Sequence, residues 1–148
     1  MAGKAIFVNT NVLVYVSRVG AEFYAVVMTA FGQARDDQCP LWISRQVLRE
    51  YLAAVTRPQP GIPPLPLASA SVDIENFTRD FNIAEDGPRV TESLLAVLAR
   101  HPAAGRQVHD ANIVATMLTH GLRRLLTFNT SDFRRFAPVI DLVKLPAA

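Results

Sequence analysis

The sequence predicts an α/β fold, a sandwich with a central, mainly parallel sheet flanked by helices. Two patterns lead there. Short apolar runs ("AIFV", "CPLWI", "RLLTF") each stop at a polar residue. Between them lie longer stretches whose apolar residues recur at helical spacing. Strands that alternate with helices build parallel sheets, whose functional crevice lies outside the carboxyl ends of the strands. Residues that follow strands or open the next helices are therefore the ones to weigh for chemistry.

Residues 5–8 read as a short buried strand, and Thr10 or Asn11 is placed to cap a following helix. A helix is expected over residues 21–35, with Phe23, Val26, Val27, Ala30 and Phe31 along one face. "CPLWIS", residues 39–44, is a second strand. Ser44 then caps the helix "RQVLREYLAAVTR", whose stripe is Val47, Leu48, Tyr51, Leu52 and Val55. "RPQPGIPPLPL" carries five prolines in eleven residues and reads as a stiff, extended loop. Helices follow over 71–81 and 88–100. "HDANIVATMLTHG" is a further helix, with Ile113, Val114, Met117 and Leu118 inward and Gly121 as its stop. "RLLTF" and "VIDLVKL" are the remaining strands. No repeat or low-complexity segment interrupts the chain, and residues 1–148 read as one domain of ordinary length.

Half of the residues are hydrophobic and 19% are charged, enough for a sizeable core and against wholesale disorder. The single cysteine, Cys39, excludes an intrachain disulfide and a cysteine-built zinc site, and favours a reducing, cytoplasmic setting. No signal peptide is read at the N-terminus, and no apolar run reaches the ~18 residues of a membrane-spanning helix. Of the fifteen basic residues only Lys4 and Lys144 are lysines. Arginine forks suit phosphates and stack on bases, but arginine also replaces lysine in GC-rich genomes. The net charge of +2 permits a nucleic-acid partner without establishing one.

Asn9 follows the first strand. Glu50 borders the buried stripe of its helix, with Val47 and Ala54 beside it. Asp110 opens a helix, with Ile113, Val114 and Met117 on its side. Asn129 and Asp132 follow "RLLTF". Each has a local reading: Asn9 as a turn or cap residue, Glu50 in an ion pair with Arg45, Arg49 or Arg57, Asp110 at the positive end of its helix, Asp132 as a cap. Together they fall on one predicted edge. Clustered carboxylates raise one another's pKa and favour a cation between them. Oxygen ligands without cysteine suit Mg²⁺ or Mn²⁺. Such an ion activates water and stabilises charge on phosphorus, so metal-dependent phosphodiester hydrolysis is the chemistry that follows. His101, His109 and His120 offer no better centre. No Gly-x-Ser-x-Gly elbow or phosphate-cradling glycine loop is present.

Three stretches, "FVNTNVLVY", "ISRQVLREYLAAVTRP" and "GRQVHDANIVATMLTHGLRRLLTFNTSDFRRF", in that order, resemble the PIN-domain family, and within it the VapC-type toxins of toxin–antitoxin pairs. Residues 58–100 fit in length and helicity but carry no signature. The resemblance implies a PIN-like α/β/α sandwich acting as a Mg²⁺- or Mn²⁺-dependent endoribonuclease. It also implies a homodimer silenced by a cognate antitoxin. Carried over residue by residue, it makes Glu50, Asp110 and Asp132 metal ligands and catalytic residues. Ser44, Asn11, Thr127 and Asn129 become polar support, and Arg45 and Arg49 candidate RNA contacts. The family's first motif is normally Asp-Thr-Asn; here position 9 is Asn. An amide loses the negative charge and turns an NH₂ donor toward any cation. The chain is therefore expected to be much less active than its Asn9→Asp variant. Retention of the other three carboxylates favours an introduced, disarming substitution over drift of the whole site. The alternative function is a non-catalytic PIN fold that binds RNA or a protein partner.

Overall fold

Residues 4–145 are described by a computed structural model. β1 (Ile6–Val8) is buried along its whole length, as a short apolar run with no polar alternation requires of a central strand. It pairs in parallel with β2 (Leu41–Ser44) on one side and β4 (Arg124–Thr127) on the other. β3 (Asn82–Ala84) extends the sheet beyond β2, and β5 (Asp141–Lys144) extends it beyond β4. The order is β3-β2-β1-β4-β5, with every pairing parallel. The chain winds outward from β1 in one direction, then returns to build the other half. β1 and β4 thus flank the topological switch point, where ligand crevices of open α/β sheets form.

The helices follow the expected plan with shifted ends. α1 (Thr10–Leu13) continues as a 3-10 turn, Val14–Ser17. α2 spans Tyr24–Asp36, α3 Arg45–Thr56, α4 Leu67–Asp80, α5 Pro88–Arg100, α6 Gln107–Thr119 and α7 Thr130–Phe133. Ser44 caps α3 as expected: its Oγ accepts from the Val47 N–H at 3.3 Å. α1 is capped by Asn9 rather than by Thr10 or Asn11. The Asn9 Oδ1 accepts the Thr10 N–H at 2.9 Å, which is the cap reading of Asn9 and places the cap one residue before Thr10.

The proline-rich loop ends sooner than expected, because Pro66 with its fixed φ leads directly into α4 at Leu67. β3 was missed: at three residues between two helices, it has too little length to show a period. α6 ends as expected, with Gly121 at φ 70°. The Leu122 N–H reaches the Met117 carbonyl at 2.8 Å and the Gly121 N–H the Leu118 carbonyl at 3.2 Å, so the helix closes in a Schellman motif. The core gathers Phe7, Leu13, Ile43, Tyr51, Ile113, Met117, Leu125, Phe133 and Phe136 around the central strands. No helix among the described residues is long and apolar enough to cross a membrane.

Candidate active site

Three polar side chains close the carboxyl ends of β1 and β4. Thr127, the last residue of β4 and 1% exposed, is their hub. Its Oγ1 accepts from Asn9 Nδ2 at 3.1 Å, Asn11 Nδ2 at 3.1 Å and the Asn129 N–H at 3.0 Å. Asn11 Oδ1 takes the Phe128 N–H at 3.2 Å and faces the Thr127 hydroxyl at 3.4 Å. Asn11 thus ties α1 to the end of β4. A hydroxyl has two lone pairs and one proton, so three donors oversupply Thr127. A carboxylate at position 9 would remove one donor and take the hydroxyl proton. The surroundings of Asn9 therefore suit an aspartate at least as well as the amide they hold.

Glu50 projects from α3 toward α1. Its Oε1 accepts from Thr10 Oγ1 at 2.8 Å and its Oε2 from Gln46 Nε2 at 3.0 Å. Two donors fix the carboxylate, and the ion pair with Arg45, Arg49 or Arg57 is not formed. Gln46, 6% exposed, also donates to the His109 carbonyl at 2.9 Å and accepts from Asn112 Nδ2 at 2.8 Å. One buried amide thereby locks the helix that carries Glu50 to the helix that carries Asp110. Neither Thr10 nor Gln46 was read from sequence as a site residue. Both carried a signal: Gln46 stands one turn before Glu50 on the same helix face, and Thr10 is the middle residue of the stretch that resembles the family's first motif.

Asp110 lies in the first turn of α6, half-buried, with no hydrogen-bond partner for its carboxylate among the described residues. Its pKa is pushed up to about 6. Burial is the largest cause, followed by the negative charges of Asp132 and Glu50, while His109 and Arg135 oppose the rise. Asp132 stands at the rim, exposed, in the first turn of α7; its charge is felt at Asp110, but it does not cap that helix. Among the described residues, no three His, Cys, Asp or Glu side chains converge into a group able to hold a metal. The four expected ligands are therefore brought together unequally. Asn9, Glu50 and Asp110 line one cleft, and Asp132 stands outside its lining.

The cleft has a volume of about 1270 Å³ and runs along the switch point. Asn11, Thr127 and Asn129 also line it, while Ser44 is buried beneath. Neither Arg45 nor Arg49 does: Arg45 forms a two-pronged pair with Glu85, at 2.8 and 2.9 Å, and Arg49 is exposed elsewhere. The cations of the cleft are Arg18, Arg57, Arg106 and Lys144. A hard divalent cation fits the donors present, which are oxygens only and include one half-buried carboxylate with no other partner. Glu50 and Asp110 supply the carboxylates of the lining, and position 9 adds an amide.

The PIN domain profile matches residues 6–138. A search of curated proteins finds no match. Solved structures are similar across nearly the whole chain. VapC20 of Mycobacterium tuberculosis, a sarcin–ricin-loop-cleaving toxin, aligns at a TM-score of 0.68 with 17% identity, covering 96% of this chain and 100% of that one. VapBC2 of Rickettsia felis, bound to a promoter DNA fragment, aligns at 0.67 with 17% identity over 96% and 99% of the two chains. A toxin–antitoxin complex from Klebsiella pneumoniae aligns at 0.63 with 22% identity over 95% and 96%. At these identities the likeness concerns the fold.

Proposed function

This chain belongs to the PIN domain family, and from that membership and the cleft we propose that it is an endoribonuclease of the VapC toxin type, held in check by a cognate antitoxin and weakened by Asn9. The observation that carries the reading is the pairing of Glu50 and Asp110 in one cleft at the switch point, with the charge of Asp110 left unpartnered. Hydrolysis of a phosphodiester adds water at phosphorus, breaks one P–O ester bond and returns a proton to the departing oxygen.

Glu50 and Asp110 would hold a Mg²⁺ or Mn²⁺ ion, with the oxygen at position 9 beside them and Asp132 acting from the rim. Such an ion supplies Lewis acidity toward the phosphate and lowers the pKa of water. The chain's own residues do the rest. Thr10 and Gln46 orient Glu50 through hydrogen bonds of 2.8 and 3.0 Å. Thr127 fixes position 9 against β4, and Asn11 donates to the same Thr127 hydroxyl. Arg18, Arg57, Arg106 and Lys144 offer positive charge to phosphates along the cleft. The homodimer and the antitoxin belong to the same proposal and rest on the family.

The test compares this chain with Asn9→Asp on total and structured RNA, with Mg²⁺, Mn²⁺ or EDTA. Cleavage by the variant alone, and only with metal, supports a disarmed metal-dependent nuclease. Equal activity of the two chains would mean that the amide does not weaken the site. One observation favours a second reading, a non-catalytic PIN fold that binds RNA or a protein: both ends of the Asn9 amide are already hydrogen-bonded within the protein. Absence of cleavage by Asn9→Asp on any RNA, with retained binding, would select it.

A further inference from the structure

Three aromatic rings meet in the wall of the cleft. Tyr15 comes from the 3-10 turn, Phe23 stands at the start of α2 and Phe128 follows β4. Tyr15 packs edge-on against Phe23 and Phe128, with ring centroids 5.3 and 5.5 Å apart, and Phe23 and Phe128 lie 4.9 Å apart at a tilt of 41°. All three line the cleft and none is fully buried. Tyr15 and Phe128 pack against the core on one side, and all three rings keep part of their surface exposed. The cluster forms part of an open wall that is continuous with Asn9, Asn11 and Thr127.

Two cations frame it. Arg18 follows the turn that carries Tyr15, and Lys144 is the register partner of Thr127, one residue before Phe128. Both line the cleft, and neither forms an ion pair among the described residues. Aromatic faces beside unpaired cations are the combination that holds single-stranded nucleic acid: stacking for a base, charge for its phosphates. An apolar peptide would use the rings but not the cations. Phe128 stands between Thr127 and Asn129, both of which line the cleft, so a nucleotide stacked there would lie beside the carboxyl ends of β1 and β4.

We infer that Tyr15, Phe23 and Phe128 form a subsite for one unpaired nucleobase beside the scissile phosphate, with Arg18 and Lys144 holding the flanking phosphates. This rests on the RNA-cleaving reading above, and it narrows the substrate to RNA whose base at that position is out of a duplex. The subsite tolerates any base that offers a π face, so it selects strandedness rather than sequence.

The experiment measures binding of a short fluorescein-labelled oligouridylate to the full chain by anisotropy, in Ca²⁺. A series of oligomers carries one abasic nucleotide at successive positions. Loss of one particular base is expected to weaken binding roughly 5- to 100-fold, with smaller effects elsewhere. Phe23→Leu and Phe128→Leu should weaken the intact oligomer similarly and leave the abasic one unaffected. Arg18→Gln and Lys144→Gln should weaken both and flatten the salt dependence. If every abasic oligomer binds as the intact one does, the subsite is overturned, whether or not the leucine variants fold. If the leucine variants fold and bind RNA as the parent does, the aromatic wall is left for a protein partner, and the inference is again overturned. The two readings separate in the Asn9→Asp chain: RNA cleavage with indifferent abasic oligomers refutes only the subsite, whereas neither binding nor cleavage refutes both.

Discussion

Asp110→Asn should make the metal-free protein more stable at neutral pH. The Asp110 carboxyl is raised from its ordinary 3.8 to about 6, chiefly by burial and then by the charges of Asp132 and Glu50. A raised acid pKa means that the folded state prefers the protonated form. The favourable contribution is therefore complete below about pH 4 and is lost as pH rises through about 6. At pH 7 the ionised carboxylate opposes folding with a ceiling of about 3 kcal/mol, at about 1.4 kcal/mol for each tenfold change in proton affinity. Asp110 is only half-buried, so solvent screening reduces this to about 1 kcal/mol. The asparagine keeps the shape and removes the charge, which for a chain of this length corresponds to a rise in Tm of about 2–4 °C. Urea unfolding in EDTA, run for both proteins between pH 4 and pH 7.5, checks it. The stability difference should be near zero at the acid end and grow in favour of the variant toward neutrality. A variant less stable at pH 7, or a difference that does not change with pH, would refute the claim that the site stores unrelieved negative charge.

The same charge predicts that Mn²⁺ raises the Tm of the parent above pH 6, where Asp110 ionises, and that Asp110→Asn abolishes the rise; a concentration of 100 times Kd would add about 2.7 kcal/mol. The gain should be larger in Asn9→Asp, which thermal melts with and without metal can read directly. Gln46→Leu should cost about 1–3 kcal/mol, because the His109 carbonyl and the Asn112 amide lose a buried partner. It should also weaken Mn²⁺ binding measured by calorimetry, since Glu50 keeps only its Thr10 donor. Thr127→Val should cost a similar ~1–3 kcal/mol by removing the acceptor of three donors, visible as a lower urea midpoint with an unchanged slope.

The sheet was legible because its inner strands are unbroken apolar runs that stop at polar residues; β1 ends just before Asn9 and β2 ends at the capping Ser44. That Glu50 and Asp110 line one cleft was only partly legible: Glu50 stands on the helix after β2, beside its buried stripe, whereas α6, which carries Asp110, follows α5 rather than a strand and is buried around much of its surface. β3 was not legible, since three residues carry no measurable period. The cationic lining was not read either. Arg45 and Arg49 stand near Glu50 in sequence, yet a helix turns adjacent residues apart, and Arg45 finds Glu85 forty positions away. Arg18, Arg57, Arg106 and Lys144 come from four separate elements or loops, and only tertiary packing joins them. The hub at Thr127 was named as polar support, but its threefold acceptance depends on two asparagines more than a hundred residues away in the chain.

That separation has a consequence for how the protein comes into being. The central strand at the start of the chain gains its second neighbour only from residues 118 positions later, and Asn9 meets Thr127 across the same interval. During synthesis the amino-terminal half can form helices and pair β1 with β2, but the cleft has one wall until β4 leaves the ribosome. Pairings this distant are late steps in folding, because the loop-closure entropy must be met before the contacts form. A nascent chain, or one truncated before β4, therefore carries Glu50 and Asp110 without the surface that completes the cleft, and the two walls meet only once β4 has been made.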